Sequence, residues 1–157
     1  LFAKIAGYAD DAALLADIDS VVATCCAIKA RIVEQDEFDT GLRMLLNFGH
    51  TLGHAVEQHF GYSCFTHGEG VAIGMYQLTK RTEELGMTAK GSAERIKSVL
   101  EKYNLPLTAG VEKAQLLDTM ARDKKKNGNS ITLIILQQIG EGVLQKVDWQ
   151  EVPKYLG

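Results

Sequence analysis

No stretch of this sequence approaches the roughly 20 consecutive apolar residues that a membrane-spanning helix requires, although 46% of its 157 residues are hydrophobic. The reading is therefore of a chain without a transmembrane segment. There is no initiator Met. The opening, Leu1-Phe-Ala-Lys-Ile-Ala-Gly7, also lacks the charged start and long apolar stretch of a signal peptide, and is what a fragment or trimmed chain would show. A net positive charge is lacking. The formal net charge is −3, and the one basic cluster, Lys124-Lys125-Lys126, is too short for the concentrated positive footprint that general nucleic-acid binding needs. Cysteines are few and odd in number, three in all. Cys25 and Cys26 are neighbours that cannot readily bridge each other, so a reducing, cytoplasmic setting fits, with buried packing as the expected role of both thiols. No internal repeat, low-complexity tract or second domain is visible. Residues 1–157 read as a single domain long enough to bury a core.

What is present is mostly helical periodicity. Ile18, Val21, Val22, Cys25, Ile28 and Ile32 recur at three- and four-residue steps, which predicts an amphipathic helix from about Ser20 to Glu34. Residues 35–41 read as a polar connection. A second helix is expected within Leu42 to His59, and a third from about His67 to Leu85, ending at Gly86. The apolar Val71-Ala-Ile-Gly-Met75 places the start of that third helix in the interior. Two shorter helices are expected near Ser92 to Tyr103, with Ser92 as N-cap, and Glu112 to Met120. The β-branched run Ile131 to Leu136 reads as a strand, with Val143 to Val147 as its hairpin partner. Asp148-Trp-Gln-Glu151 has capping-box spacing and predicts a last short helix.

The second helix carries the chemistry. At about 100° per residue, Arg43, Asn47, His50, His54 and Glu57 fall on one arc of about 80°. Met44, Leu45, Phe48, Leu52, Ala55 and Val56 occupy the other side. Solvated faces usually carry Lys and Glu, so two histidines with Asn and Arg point to function. His50 and His54 at i, i+4 can both reach one metal ion, although no Glu follows the first His and the metalloprotease pattern is missing. His67, in His67-Gly-Glu69, is a further ligand candidate, whereas His59 reads as a packed core residue. Gly49 and Gly53 each weaken a helix by about 1 kcal/mol relative to Ala, a cost that makes sense if another element or a ligand must approach the backbone. Lys29 falls within the apolar arc of its helix, and either reaches out to water or directs its ammonium at an anion.

Several blocks then match one family in order and spacing: Ile28-Lys-Ala30, Asp36-Glu-Phe-Asp-Thr-Gly-Leu-Arg43, Leu46-Asn-Phe-Gly-His-Thr-Leu-Gly-His-Ala-Val-Glu57, His67-Gly-Glu-Gly-Val-Ala-Ile-Gly-Met75 and Asp123-Lys-Lys125. The sequence resembles the C-terminal, metal-binding half of 3-dehydroquinate synthase. The resemblance implies a mainly α domain with a small β element near its C-terminus, and a zinc- or cobalt-dependent, NAD-using enzyme. That enzyme turns 3-deoxy-D-arabino-heptulosonate 7-phosphate, a seven-carbon sugar phosphate, into 3-dehydroquinate and phosphate in the shikimate pathway of aromatic amino acid biosynthesis. It also implies a homodimer and a separate N-terminal α/β domain that binds NAD, and it places the metal's glutamate ligand in the family segment just before the residues that match Leu1 onward. By position, His50 and His67 match the metal-ligand histidines and His54 a catalytic histidine beside the metal. Lys29, Arg43 and Asn47 match residues that hold the substrate's phosphate and carboxylate, joined by Lys124 or Lys125. Asp39 stands where the family usually has Glu, which bears on its catalytic role. The ligand histidines are expected to be neutral and oriented by acceptors behind them, for which Glu57 and Glu69 are candidates. Related sugar-phosphate cyclases such as 2-deoxy-scyllo-inosose synthase share the histidine motifs. The Asn47-Phe-Gly-His50 block fits the metal-dependent alcohol dehydrogenases poorly. A non-catalytic helical interaction module would have no need of Lys29, His50, His54 and His67 together.

Overall fold

The structure is a computed structural model that describes residues 1–39, 41–127 and 129–156, the side chains of 122–127 excepted. Three helices open the chain: α1 (Phe2–Gly7), α2 (Asp11–Ala16) and α3 (Ile18–Gln35). Asp10 starts α2 by accepting the Ala13 N–H at 2.9 Å, a common way of satisfying a free helix-start donor. The carboxylate of Asp36 then accepts the N–H groups of Gly41 and Arg43 at 2.8 and 2.9 Å. These bonds fold the connection into a 3-10 turn over Leu42–Asn47.

Next come α4 (His50–His59) and α5 (His67–Glu84), which pack antiparallel through a seam of glycines. A β-carbon on Gly53 would lie 2.9 Å from the Gly70 backbone, and one on Gly74 would collide with the carbonyl oxygen of Gly49. The expectation that Gly49 and Gly53 admit a close neighbour is met, and the neighbour is α5. The seam also explains why Gly70, Val71, Ala72, Ile73 and Gly74 are all buried.

α6 (Ser92–Lys102) and α7 (Lys113–Asn127) follow, then the antiparallel hairpin of β1 (Ser130–Gln138) and β2 (Glu141–Asp148). Ile131 faces Val147 and Ile135 faces Val143, with a bulge between Leu136 and Gln138. Leu133, Ile135 and Val147 from the hairpin join Leu52 and Ala55 of α4, Leu78 of α5, Met120 of α7 and the C-terminal Val152 and Leu156 in one core. A buried hydroxyl chain ties α5 to the hairpin. Thr82 and Thr88 hydroxyls lie 2.7 Å apart, and Thr88 donates to the Leu136 carbonyl at 2.6 Å. The fold is mainly helical with one small two-stranded sheet, as the sequence implies. Among the described residues no helix is long and apolar enough to cross a membrane.

Local expectations fail in four places. The helix expected within Leu42 to His59 forms over His50–His59, but the single arc from Arg43 to Glu57 does not, because Gly49 adopts φ 83°, a left-handed conformation that ends one element and starts another. α3 buries only Val21. Val22, Cys25 and Cys26 are exposed instead of packed in a core. Gly91, also left-handed, is the N-cap of α6, and Ser92 is its first helical residue. Asp148 ends β2, so the last short helix is a 3-10 turn over Val152–Tyr155, preceded by Glu151 with no capping side chain.

Candidate metal and substrate site

His50 opens α4 immediately after left-handed Gly49, and His54 follows one turn later on the same face. His67 opens α5, where a capping box fixes the first turn. Thr66 Oγ1 accepts the Glu69 N–H, while the Glu69 carboxylate accepts the Thr66 N–H at 2.8 Å. The glycine seam then sets α5 against α4 so closely that three imidazoles meet. Ring centroids are 5.0 Å apart for His50 and His67, 5.5 Å for His50 and His54, and 5.6 Å for His54 and His67.

Behind the rings lies Glu57, a carboxylate only 7% exposed. Its Oε2 is 3.2 Å from Nδ1 of His67. Nδ1 of His50 is 3.3 Å from the carbonyl oxygen of Phe48. Glu69 faces away into its capping box, so of the two expected acceptors only Glu57 meets a histidine. Burial holds His50 below the usual histidine range, outweighing the Phe48 carbonyl that favours the cation, and the neighbouring His54 and His67 push the same way. Its ring is therefore neutral at pH 7, with a lone pair for a ligand.

Imidazole nitrogens beside a carboxylate are donors suited to zinc and similar divalent ions, and these residues fit such an ion. Two donor sets overlap here. Ligand atoms of His54, Glu57 and His67 lie within 4.8 Å of one another, whereas the family resemblance pairs His50 with His67.

The other candidate residues stand elsewhere. The face of Arg43, Asn47, His50, His54 and Glu57 on one helix does not form, because the break at Gly49 puts Arg43 and Asn47 on the 3-10 turn. Lys29 is exposed on α3, which packs against that turn. Arg43 donates Nη1 to the Glu37 carbonyl at 2.8 Å, and Asn47 is exposed. Asp39 is exposed with φ 56°, a conformation that Asp tolerates better than Glu because its short side chain bonds locally. Among the described residues, none of these four makes a hydrogen bond or ion pair with the histidines. Lys124 and Lys125 fall near the end of α7, their side chains outside the described residues. His59 is half-buried, its ring 5.1 Å from that of Phe60.

Beside His54 opens a cavity of about 230 Å³, lined also by Thr51, Gln58, Met120, Ile131 and Trp149. Sequence reasoning misses it. Its walls come from α4, α7 and the hairpin, and no local pattern links positions so far apart in the chain.

The family described as 3-dehydroquinate synthase C-terminal matches residues 3–126. The chain is 45% identical to 3-dehydroquinate synthase of Clostridium acetobutylicum over 99% of its own length and 44% of that protein. To the Enterococcus faecalis enzyme of that name it is 36% identical, with the same coverage. It thus spans less than half the length of these curated relatives. Among solved structures, 2-deoxy-scyllo-inosose synthase with carbaglucose-6-phosphate, NAD+ and Co2+ superposes with a TM-score of 0.73 at 19% identity, over 88% of this chain and 40% of the other. The 2-epi-5-epi-valiolone synthase of Streptomyces hygroscopicus, with NAD+ and Zn2+, gives 0.65 at 20% identity, over 80% and 35%.

Proposed function

Because the chain belongs to the 3-dehydroquinate synthase C-terminal family, we propose that it is the metal- and substrate-binding part of a 3-dehydroquinate synthase. In this reading it acts with an NAD-binding partner domain, in a cytoplasmic homodimer, on 3-deoxy-D-arabino-heptulosonate 7-phosphate. The observation that carries the proposal is the meeting of His50, His54 and His67 beside buried Glu57, on the sequence blocks that match the family.

When bound, a divalent ion supplies Lewis acidity at a substrate hydroxyl oxygen and NAD supplies a hydride acceptor. The chain's own residues do the rest. His50 and His67 would hold the ion. Exposed His54 stands beside both rings, where it can take or return a proton at the reacting hydroxyl. Lys29, Arg43 and one of Lys124 and Lys125 meet the phosphate and carboxylate through charge-assisted hydrogen bonds, and Asn47 adds an amide donor. Asp39 serves in place of the usual Glu, its left-handed backbone favouring the shorter acid. The cationic groups attract a dianionic phosphate more strongly once water is excluded, and the exposure of Lys29 and Asn47 is consistent with a second wall supplied by the partner domain.

The other sugar-phosphate cyclases resemble this chain at 19–20% identity, which speaks for a common fold. The relatives at 36–45% identity carry the synthase name, and this favours the carboxylated substrate. Phosphate release from each candidate sugar phosphate, with NAD and Zn2+ or Co2+, tests the proposal. The full-length protein is expected to turn over the heptulosonate phosphate and to lose that activity in His54→Ala. The 157-residue chain alone is expected to be inactive, since it offers two metal ligands where catalytic zinc ordinarily has three. Turnover by the chain alone, or a preference for a sugar phosphate without a carboxylate, would overturn the reading.

A further inference from the structure

Three histidines meet at this site, and their environments differ at one atom. Nδ1 of His67 faces the Glu57 carboxylate at 3.2 Å, and Nδ1 of His50 faces the Phe48 carbonyl at 3.3 Å. Each of these oxygens favours a proton on the Nδ1 that faces it, the tautomer that leaves the lone pair on Nε2. Among the described residues the His54 ring has no such acceptor. Two rings are therefore preset as ligands and the third is left unfixed.

We propose that Glu57 is a positioning residue, which accepts the Nδ1–H of His67 and so holds Nε2 of that ring free for a divalent ion shared with His50. This rests on the metal-centre reading above. It extends that reading by separating ligands from non-ligand, and by assigning Glu57 to the first group's support instead of to the ligand set.

The construction around Glu57 suits that task. Its side chain is 8% exposed while that of His67 is 57% exposed, so the carboxylate sits behind the ring and the ring reaches toward solvent. A buried carboxylate is costly unless hydrogen-bonded, and His67 is the partner that the fold provides. Space for it comes from the seam, where a β-carbon at Gly70 would lie 3.2 Å from Glu57 Cγ. Electrostatics work in the same direction. His50 and His67 are each the first residue of a helix, where the positive end of the backbone dipoles opposes a bound cation. The nearby carboxylate counters that field and raises the basicity of the ligating nitrogen.

Glu57→Gln and Glu57→Ala in the full-length protein test the idea, with circular dichroism to verify folding. Imidazole 15N shifts of the metal-free protein report the tautomer of each ring. Competition against a chromophoric chelator reports Co2+ affinity. We expect the Nδ1–H tautomer at His67, kept in Glu57→Gln and lost in Glu57→Ala. Co2+ binding should weaken by about 10- to 100-fold in Glu57→Ala, the usual penalty for losing an outer partner, and by less in Glu57→Gln, which keeps an acceptor. The inference is overturned if metal-free His67 carries its proton on Nε2. It is equally overturned if Glu57→Ala binds Co2+ as the parent does, or if Glu57→Gln falls as far as Glu57→Ala, which would mark a direct ligand. Failure of the full-length parent, with its third ligand in place, to bind Co2+ would instead sink the metal-centre reading, and the tautomer would still decide the role of Glu57.

Discussion

Between α4 and α5 two backbones touch through glycines, whereas α3 turns toward solvent much of the stripe that its sequence marks for burial. On the first side, Gly49, Gly53, Gly70 and Gly74 leave no room for a β-carbon without displacing a neighbour, and Val56 is fully buried at 0% exposure. On the second, Val22 is 52% exposed and Ile18 37%. Both regions carry candidate site residues. The histidines stand on the tight side, where backbone contact fixes the two helices that carry them. Lys29, Asp39, Arg43 and Asn47 stand on the open side, where long flexible side chains meet water. A metal needs the first kind of support, because ligand distances tolerate little error. An anion can be gathered by the second kind, provided something later excludes the water.

The strongest way to break this contrast is to add one methyl group to the seam. Gly74→Ala drives a β-carbon into the Gly49 carbonyl and to within 3.0 Å of Gly53 N, all of it backbone that cannot step aside. Overpacking of a rigid interior costs about 1–3 kcal/mol and occasionally more, and this site belongs at or above the upper end. Urea denaturation should show it, along with loss of Co2+ binding. Gly68→Ala in the same helix is the control, since its β-carbon meets nothing within 4 Å. That change should be neutral or stabilising by up to about 1 kcal/mol. Equal effects at the two positions would mean that the seam is not what holds the helices.

Much of this was legible in the sequence, and what escaped shares a cause. The hairpin was readable because β-branched Ile131, Ile134 and Ile135 keep a strand signal that nothing competes with. Gly49 and Gly53 advertised a close approach, though not that Gly49 would also break the helix. Both uses of glycine follow from the missing β-carbon, and only tertiary structure decides between them. Ile18, Val22 and Cys25 show the converse failure. Periodicity reveals that a face is apolar, but it does not say what covers it. The cavity beside His54 was invisible because Trp149 and Ile131 reach it from the far end of the chain. Thr66-His-Gly-Glu69 was legible in principle as a capping box, and reading Glu69 instead as a histidine partner overlooked that local use.

The contrast sharpens at the histidines themselves. Removing a ligand should cost more than removing its support, so His67→Ala and His50→Ala are each expected to weaken Co2+ binding more than 100-fold, beyond the range about 10- to 100-fold for an outer partner. His54→Ala should leave the affinity close to that of the parent. Chelator competition reads all three, and a large loss in His54→Ala would favour the alternative set of His54, Glu57 and His67. A milder comparison uses the same residue type on the two sides. Val56→Ala removes buried methyl groups and should destabilise by about 2 kcal/mol. Val22→Ala on α3 should stay within about 0.5 kcal/mol. If Val22→Ala in the isolated chain costs as much as Val56→Ala, the open side is not open.

A smaller effect than that of Val56→Ala lies at the far end of α5, where the fastening to α6 is made of charge instead of glycine. The Glu83 carboxylate accepts the N–H groups of Gly91 and Ala93 at 2.8 and 2.9 Å, donors that the start of α6 leaves without partners inside the helix. Those bonds, with the Ala93 amide foremost, hold Glu83 below the usual carboxylate range. The sign follows from linkage. A group whose pKa falls on folding stabilises the folded state above its unfolded value, here near 4.5, and that contribution disappears as pH drops through the lower folded value. Glu83→Gln keeps an acceptor but loses the charge. It should therefore reduce stability at pH 7 by no more than about 1 kcal/mol, the usual worth of a helix-start cap, and the difference from the parent should shrink as pH falls below 4.5. Urea midpoints of both proteins at pH 7 and at successively lower pH supply the measurement. A gap that persists or widens in acid would show that Glu83 holds α6 by shape alone, and that the polar fastening is no different in kind from the glycine seam.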